Sequence, residues 1–518
     1  MLARTSYIYE SQRYHAPSYL PMATLSPGQR QQSGVDRLSA LPDELLVTIL
    51  DGLDTRSALA TTVLAKRWTH LPRLLSALEF RVTDMFPPPV YQQSPVFLEQ
   101  YAPAVMARYN DAIDRFMEAA HADGSYIPQP GRRLRLEFFD PDEPAFVDRL
   151  IGTAVRSWGV EDLEVIVKPV AHHIAYFFPQ HFLDDESAQL IRSLTLGGCS
   201  LLPPLHRYGK LTALVLQDIS PSVPVAAYAG VFSRCPGLRS VHLRRCHPET
   251  DNNIPSVMEV DAPASGIIEL VVYHCSFQAI RLLALPALER LECSGSPVSL
   301  AFGIIPRLAH VVLSLGFFIL EGDPWDDRYD YTLDELLVAV NPAAVSVTDL
   351  VLRFTGTYRW VEPWLDGVTP FPVLRRLLMA DVPSNWDVSW AYLLLEAAPS
   401  LEVLHVSVTP CAEDSPRDVD IMWRPSKYRH RHLKELVVVG FELTPTQACL
   451  VRLVMKTCKA LRRVVLMKGG RIDDRGLGGG WEVVAPQENG WSDHEKVAAE
   501  RAIKKVRYFK LYGHLFFA

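Results

Sequence analysis

This 518-residue sequence lacks a large excess of charge of either sign and a long hydrophobic run. Its 52 Lys and Arg nearly balance its 59 Asp and Glu, so the net charge is only −7. This balance argues against a strongly basic nucleic-acid-binding protein and against an acidic disordered chain. The most apolar stretch, residues 308–320, is shorter than the roughly 20 residues that a membrane span needs. We therefore expect neither nucleic acid nor a membrane among the partners.

Paired cysteines and glycosylation sites are also missing. The eight cysteines form no C-x-x-C motif, and no Asn-x-Ser/Thr site occurs. This pattern favours a reducing compartment, the cytoplasm or the nucleus, with mostly buried free thiols. Residues 1–35 lack the apolar core of a secretory signal peptide and predict a flexible arm. An organellar transit peptide stays open for this arm, because its arginines outnumber its acidic residues.

Sequence motifs of common catalytic centres are absent. There is no G-x-S-x-G, no H-E-x-x-H, no zinc-spaced Cys and His set and no dinucleotide-binding glycine motif. The adjacent His172 and His173 cannot share one face and predict a loop or packing role. The acidic residues of 321–330 lack the order of a calcium loop, and the glycines of 476–480 lack the Lys-Ser/Thr of a phosphate loop. We expect no catalytic residue, cofactor or metal.

What the sequence does contain is a repeat, L-x-x-L-x-L with any aliphatic residue allowed. Its thirteen copies, mostly 20 to 32 residues apart, begin at residues 131, 160, 191, 211, 238, 267, 288, 308, 347, 374, 401, 433 and 461. This period is typical of leucine-rich repeats, in which stacking buries leucines that one repeat cannot bury alone. The predicted fold is α/β: an irregular leucine-rich-repeat solenoid over 131–475, with parallel strands on the concave face and helices or loops on the convex face.

Three copies carry a cysteine at the ninth position of the repeat, namely Cys199, Cys246 and Cys275. In leucine-rich repeats a small polar group at this position bonds the backbone of the turn. Metal or redox chemistry is the alternative, but ligand spacing is absent. We therefore predict a structural role for these three cysteines.

Strand alternation assigns a side to each repeat position. Positions four and six point into the core, and positions five and seven point to the concave face. Position five is aliphatic in seven of the thirteen copies, mostly towards the C-terminus. Two explanations of these aliphatic residues involve no ligand. Valine is a good strand former, or the C-terminal segment covers this face. Alternatively, a partly apolar face with a polar centre receives a protein substrate; its candidate binding residues are His242, Arg244, Tyr273, Arg353 and His405.

Residues 36–78 form a dense helical block. Pro42 suits a first helical position, and Asp43 and Glu44 complement the positive end of the helix. An apolar stripe follows at helical spacing, and a second helical segment repeats that spacing: Leu45, Ile49, Leu50 and Leu53, then Leu59, Val63, Leu64 and Trp68. A unit this small cannot hide all its apolar surface. It is either a cap for the solenoid or a docking module.

The order of residue types from Asp36 to about Leu71 resembles the F-box, which docks on the Skp-family adaptor of cullin–RING ubiquitin ligases. Asp54 departs from the proline that is common in the family, and Pro72 replaces an aromatic residue of many plant members. An F-box followed by irregular repeats resembles the plant F-box/LRR (FBD-like) group. The resemblance implies that these residues contact the adaptor: Leu41, Pro42, Leu45, Ile49, Leu50, Leu53, Leu59, Val63 and Trp68.

The same resemblance implies a non-catalytic substrate-receptor subunit, which binds a cullin through the adaptor and holds an unknown protein substrate on the solenoid. The alternative is a repeat scaffold that binds a partner without recruiting a ligase. The predicted organisation is an arm at 1–35, an F-box at 36–78, a linker and helix at 79–130, the solenoid at 131–475, and a hinge with a C-terminal cap at 476–518. In the cap, Ser492 and Glu495 form a helix-capping pattern.

Overall fold

A computed structural model describes most of the chain. The described residues are 38, 40–85, 95–122, 132–140, 145–169, 176–178, 185–200, 205–248, 256–295, 299–317, 346–356, 371–384, 386–410, 429–474, 480–486, 490–504 and 512–518. The predicted arm at 1–35, the His172–His173 pair, the acidic segment 321–330 and the glycines 476–479 lie outside the described residues.

Fifteen parallel strands form the main sheet, in the order β1-β2-β3-β4-β5-β6-β8-β10-β12-β13-β14-β15-β16-β17-β20. They are β1 (Ala77–Arg81), β2 (Arg132–Phe139), β3 (Val160–Lys168), β4 (Ser193–Gly197), β5 (Ala213–Gln217), β6 (Ser240–Arg244), β8 (Glu269–Tyr273), β10 (Arg290–Ser294), β12 (His310–Phe317), β13 (Asp349–Gly356), β14 (Arg376–Pro383), β15 (Val403–Thr409), β16 (Glu435–Val439), β17 (Arg463–Met467) and β20 (His514–Phe517). All thirteen predicted repeats contribute one strand each. The predicted fold class is confirmed, and the sheet extends one strand beyond each predicted end of the solenoid.

The described α-helices precede the solenoid or connect its strands. They are α1 (Asp43–Leu50), α2 (Thr55–Ala60), α3 (Pro95–Ala122), α4 (Ala145–Trp158), α5 (Asp185–Ala188), α6 (Val225–Arg234), α7 (Ala391–Ala397), α8 (Pro445–Thr457) and α9 (Asp493–Lys504). The capping pattern before α9 is formed: the Glu495 N–H donates to Ser492 Oγ at 3.3 Å, and the Ser492 N–H donates to the Glu495 carboxylate at 2.9 Å.

Three connecting segments are strands where helices or loops were predicted. β7 (Val257–Asp261), β9 (Ala279–Ala284) and β11 (Ser299–Ile304) form a separate parallel sheet in the order β11-β9-β7. The repeats that begin at residues 267 and 288 are among the shortest in the chain. An extended segment covers the return path with fewer residues than a helix does, because a strand rises about 3.3 Å per residue and a helix 1.5 Å.

One continuous core runs from the N-terminal helical block to α9. The leucines and valines at positions four and six fill it, as predicted. The turn after several strands needs a left-handed residue. At Gly440, with φ of +73°, an added Cβ would lie 2.1 Å from the Val408 carbonyl oxygen. Only glycine fits such a turn without strain.

The three repeat cysteines are buried at these turns. Cys246 Sγ lies 3.5 Å from the Leu216 carbonyl oxygen, and Cys275 Sγ lies 3.5 Å from that of Leu243. Each thiol thus donates to the backbone of the preceding strand of the sheet. Cys199 Sγ donates to the Gly197 carbonyl oxygen at 3.7 Å. The predicted structural role of these cysteines is confirmed.

We expect Gly440→Ala to lower the free energy of unfolding by more than about 1 kcal/mol, because alanine is strained at positive φ and its Cβ would meet a carbonyl. Gly209→Ala is the matched control, since φ there is outside the left-handed region and no atom lies within 4 Å of the added Cβ. Urea unfolding of both variants tests this. Equal midpoints would contradict the strain argument.

Candidate functional site

The N-terminal helical block presents an apolar surface on short, capped elements. Pro42 is the N-cap of α1 and not its first residue; the Leu45 and Leu46 N–H groups donate to its carbonyl oxygen at 3.1 and 3.2 Å. Asp54 caps α2 by accepting from the Ser57 N–H at 2.8 Å and the Ser57 hydroxyl at 2.7 Å. These hydrogen bonds lower the pKa of the Asp54 carboxyl. The departure from proline at position 54 is therefore accommodated as a helix cap.

The second helical segment is shorter than its spacing suggests. α2 ends at Ala60, and three 3₁₀ turns follow at Thr61–Val63, Lys66–Thr69 and Leu71–Leu74. This irregular path turns Val63 and Leu64 outwards. Pro72 is buried within the last of these turns and is not part of the exposed surface.

The predicted adaptor-contact residues divide by exposure. Leu41 and Leu59 are half-buried, and five others are exposed: Pro42, Leu45 at 50%, Ile49, Leu53 and Val63. Leu50 and Trp68 are corrections: they are buried at 0% and 6% exposure and pack in the core. Helical periodicity identifies the apolar residues of the helix, but it does not show which of them are buried in the block's own core and which stay exposed.

Two exposed leucines, Leu38 and Leu64, were missing from the predicted contact set. Leu64 could have been found from the sequence, since it follows Val63 in the same apolar run. We name the six exposed side chains Leu38, Leu45, Ile49, Leu53, Val63 and Leu64 the box surface.

An ion pair holds the two ends of the block together beside the box surface. Arg67 Nε donates to Asp43 Oδ1 at 2.8 Å, and its Nη2 donates to the Leu41 carbonyl oxygen at 2.6 Å. His70 lies 3.3 Å from the same carboxylate. The Arg67 hydrogen bond is the main reason that the pKa of Asp43 is lowered.

The block is fixed to the first strand of the solenoid. The Ser76 N–H donates to Asp51 Oδ1 at 2.9 Å, and the Glu79 N–H donates to Thr55 Oγ1 at 2.8 Å. On α3, Tyr109 donates its hydroxyl proton to the Phe80 carbonyl oxygen at 3.1 Å. Since β1 pairs with β2, the box surface has a fixed orientation relative to the sheet.

On the concave face, position five forms one in-register row across thirteen strands. Neighbours in the sheet order pair directly: Arg135, Glu164, Thr195, Val215, His242, Val271, Glu292, Val312, Val351, Leu378, His405, Val437 and Val465. Direct pairing brings side chains about 5 Å apart. The predicted alternation is confirmed.

Position three also faces this side, and the sequence analysis missed it. Glu269 accepts from His242 Nε2 at 2.7 Å and from Arg290 Nε at 3.0 Å. Burial opposes ionisation of Glu269, but the hydrogen bonds from His242, Arg290 and Ser240 together lower its pKa. The same i, i+2 alternation that identified position five would have identified position three.

The candidate substrate residues do not form one cluster. His242 and Arg244 lie on β6, and Tyr273 pairs directly with Arg244 from β8. Arg244 and Tyr273 are exposed, and no carboxylate of the described residues pairs with Arg244. Arg353 lies on β13, three strands from Tyr273 and four from Arg244, or about 14 and 19 Å by strand spacing, and pairs with Asp381 at 2.6 Å.

His405 is a correction, because it is covered. β18 (Arg471–Asp474) and β19 (Trp481–Val484) form an antiparallel hairpin that packs on the concave face. Trp481 Nε1 donates to His405 Nδ1 at 2.9 Å, and His405 Nε2 donates to Glu435 Oε1 at 3.0 Å. His405 is only 6% exposed. The interpretation that the C-terminal segment covers the apolar part of this face therefore holds for strands β14–β17.

The described residues show no membrane-length apolar helix. In the same part of the chain, no group of three or more His, Cys, Asp or Glu is arranged to hold a metal ion.

The fold and the site together define the class of this protein: a leucine-rich-repeat solenoid that carries a small N-terminal helical module with an exposed apolar surface. The family model described as "At1g61320/AtMIF1, LRR domain" matches residues 132–475. F-box/LRR-repeat protein At3g59210 of Arabidopsis thaliana is 34% identical over 381 residues, which are 71% of this chain and 72% of that protein.

Two further relatives from the same plant extend the coverage. FBD-associated F-box protein At5g60610 is 30% identical over 448 residues, 83% of this chain and 98% of that protein. FBD-associated F-box protein At1g60410 is 24% identical over 471 residues, 84% of this chain and 98% of that protein. The chain belongs to the plant F-box/LRR-repeat proteins.

The lowered pKa of Glu269 predicts a pH-dependent contribution to stability. Since the folded pKa lies below the ordinary value of 4.5, the contribution is present above pH 4.5 and is lost as the pH falls through the folded pKa. The stability difference between the wild type and Glu269→Gln should therefore be largest near neutral pH and shrink below pH 4.5. Urea unfolding at several pH values measures it.

Glu259→Gln is the control for this comparison. Glu259 pairs with Arg281 at 3.5 Å, but both side chains are about half exposed, so the pair contributes little. A stability difference for Glu269→Gln that does not change with pH would contradict the role of its ionisation.

Proposed function

We propose that this chain is a substrate-receptor subunit of a cullin–RING ubiquitin ligase. Its F-box binds a Skp-type adaptor and, through it, a cullin, while the solenoid binds a protein substrate. The chain itself is non-catalytic in this proposal, and ubiquitin transfer belongs to other subunits. The names of its relatives as F-box proteins support the proposal.

The observation that carries the proposal is the box surface. Leu45, Ile49 and Leu53 stay exposed on α1 and the turn after it, although the opposite side of α1 buries Leu46 and Leu50 completely. An apolar surface on a rigid module is an energetic liability unless a partner covers it. Because the block is fixed to β1, an adaptor bound there would hold the solenoid at a defined orientation.

The seven described cysteines are all free thiols. We propose that the protein is located in the cytoplasm or the nucleus, because free thiols fit a reducing compartment.

We expect the double variant Leu45→Ala/Ile49→Ala to weaken adaptor binding by about tenfold or more, since it removes central apolar contact area from the box surface. Both side chains are exposed, so the fold should tolerate the change. Co-purification with a Skp-type adaptor, followed by titration calorimetry, measures the loss.

Val497→Ala is the matched control for adaptor binding. Val497 lies on α9 at the other end of the chain and is 48% exposed, close to the 50% of Leu45. Unchanged adaptor binding in the double variant would remove the site assignment. No binding by the wild type would leave the repeat scaffold as the function.

On the solenoid, we expect Arg244→Glu to abolish retention of those substrates that contact the polar centre of the face. Arg244 is exposed beside Tyr273 and has no carboxylate partner among the described residues, so its charge is available to a ligand. The measurement is crosslinking in native extract. It uses the Leu45→Ala/Ile49→Ala background, which should not deliver bound substrates to the ligase, and it compares the crosslinked proteins with and without Arg244→Glu.

Arg281→Glu is the control for substrate retention. Arg281 lies on β9 of the separate three-stranded sheet and is also about half exposed. An identical set of crosslinked proteins in the Arg244 variant and the wild type would count against the polar centre as a substrate surface.

A further inference from the structure

The β18–β19 hairpin packs on the concave face without pairing with the strands of that face. Its two four-residue strands pair only with each other and form a sheet separate from the fifteen-stranded one. Trp481, Ile472 and Val483 provide its apolar contacts with the face. Its polar contacts are the Trp481–His405 hydrogen bond and those of the Arg376 guanidinium, which lies 4.2 Å from the centre of the Trp481 ring and donates to the Trp481 carbonyl oxygen at 3.5 Å.

Several features make this hairpin weak as a separate unit. An isolated two-stranded hairpin is at best marginally stable in water. On its outer side Asp473 lies directly opposite Glu482, and Arg471 donates to Asp473 at 2.6 and 3.2 Å, so this polar outer row adds no apolar contact that would hold the hairpin together. Gly470 and Gly480 border the two strands with φ of +91° and +64°, so the chain turns sharply at both points. Contacts with the concave face therefore contribute more to the stability of the hairpin than the pairing of its own two strands does.

Beneath the hairpin lies a strip of apolar side chains, which we name the covered strip: Leu378, Ala380, Val437, Val439, Val465 and Met467. They occupy positions five and seven of β14, β16 and β17, which would face solvent without the hairpin. An apolar area of this kind on the binding face of a solenoid is typical of a protein interaction surface.

The chemistry of the covered strip defines what fits it. His405 offers Nδ1 as an acceptor, since the Trp481 indole can only donate. Arg376 offers its planar cation to an aromatic ring. Val483, two residues after Trp481 on β19, packs against the valines and Met467 of β16 and β17. The strip thus fits an extended segment with an aromatic N–H donor followed two positions later by an aliphatic residue.

We propose that the covered strip is a docking surface for a protein partner with such an aromatic-x-aliphatic segment, and that the hairpin is a displaceable intramolecular competitor for it. If the partner is a substrate, the inference deepens the proposed receptor function. The surface and its competitor do not depend on adaptor binding, so the two proposals fail separately.

Hydrogen exchange of the full-length protein tests whether the hairpin is displaceable. We expect the paired amides of β18 and β19 to exchange at least about tenfold faster than those of β15 and β16, through local opening of the hairpin alone. Trp481→Ala should accelerate the hairpin amides further and leave β15 and β16 unchanged. Exchange of the hairpin at the same rate as β15 and β16 would overturn the proposal.

Peptide binding tests whether the strip is a docking surface. The probe is a fluorescent peptide of residues 469–486, the chain's own hairpin sequence. We expect it to bind the Trp481→Ala protein at least about tenfold more tightly than the wild type, whose own hairpin competes at high effective concentration. The same peptide with Trp481→Ala should bind at least about tenfold more weakly.

Equal binding of both peptides, or no binding to the Trp481→Ala protein, would overturn the docking surface. Glu482→Gln is the control variant, because Glu482 lies on the outer side of the hairpin; it should bind the peptide as the wild type does. If Trp481→Ala fails to fold, Val483→Ala replaces it, because this smaller change also removes an apolar contact between the hairpin and the covered strip. Neither measurement contains the adaptor, so the outcome is independent of the Leu45→Ala/Ile49→Ala test.

Discussion

No repeat of this chain can bury its own leucines, and the structure depends on that constraint. Positions four and six become a core only when the next strand lies in register beside them, so each repeat is stable through its neighbours. The same register aligns positions three and five into continuous rows on the other face, whereas a register shift between β14 and β15 interrupts the row at position seven. Burial on one side therefore produces an ordered surface on the other.

The two surfaces of the molecule differ in how their apolar side chains are protected. The box surface leaves Leu45 and Ile49 in solvent, whereas the covered strip is closed by a segment of the same chain. The open part of the concave face carries charged ladders such as His242–Glu269–Arg290, whereas the covered part is mainly aliphatic. A partner of the open part meets charge, while a partner of the covered strip meets aliphatic groups.

Local periodicity was sufficient to predict the thirteen strands and the cysteine turns, because each depends on residues close in sequence. It could not predict β1, the pairing of the C-terminal strand β20 with β17, or the β7-β9-β11 sheet, because these depend on distant segments. The burial of Leu50 and Trp68 follows from how the helical block packs on itself, and that of His405 from a hairpin 76 residues away. Side chains at such long-range contacts carry no local signal.

The attachment of the helical block to β1 has a consequence for the end of the sheet. An outer strand offers unpaired N–H and C=O groups on which another chain could polymerise. Thr55 of the helical block occupies the Glu79 N–H on the outer side of β1. The helical block thus also protects the end of the sheet, and a chain that keeps β1 but lacks the block would be expected to aggregate for a reason unrelated to its partners.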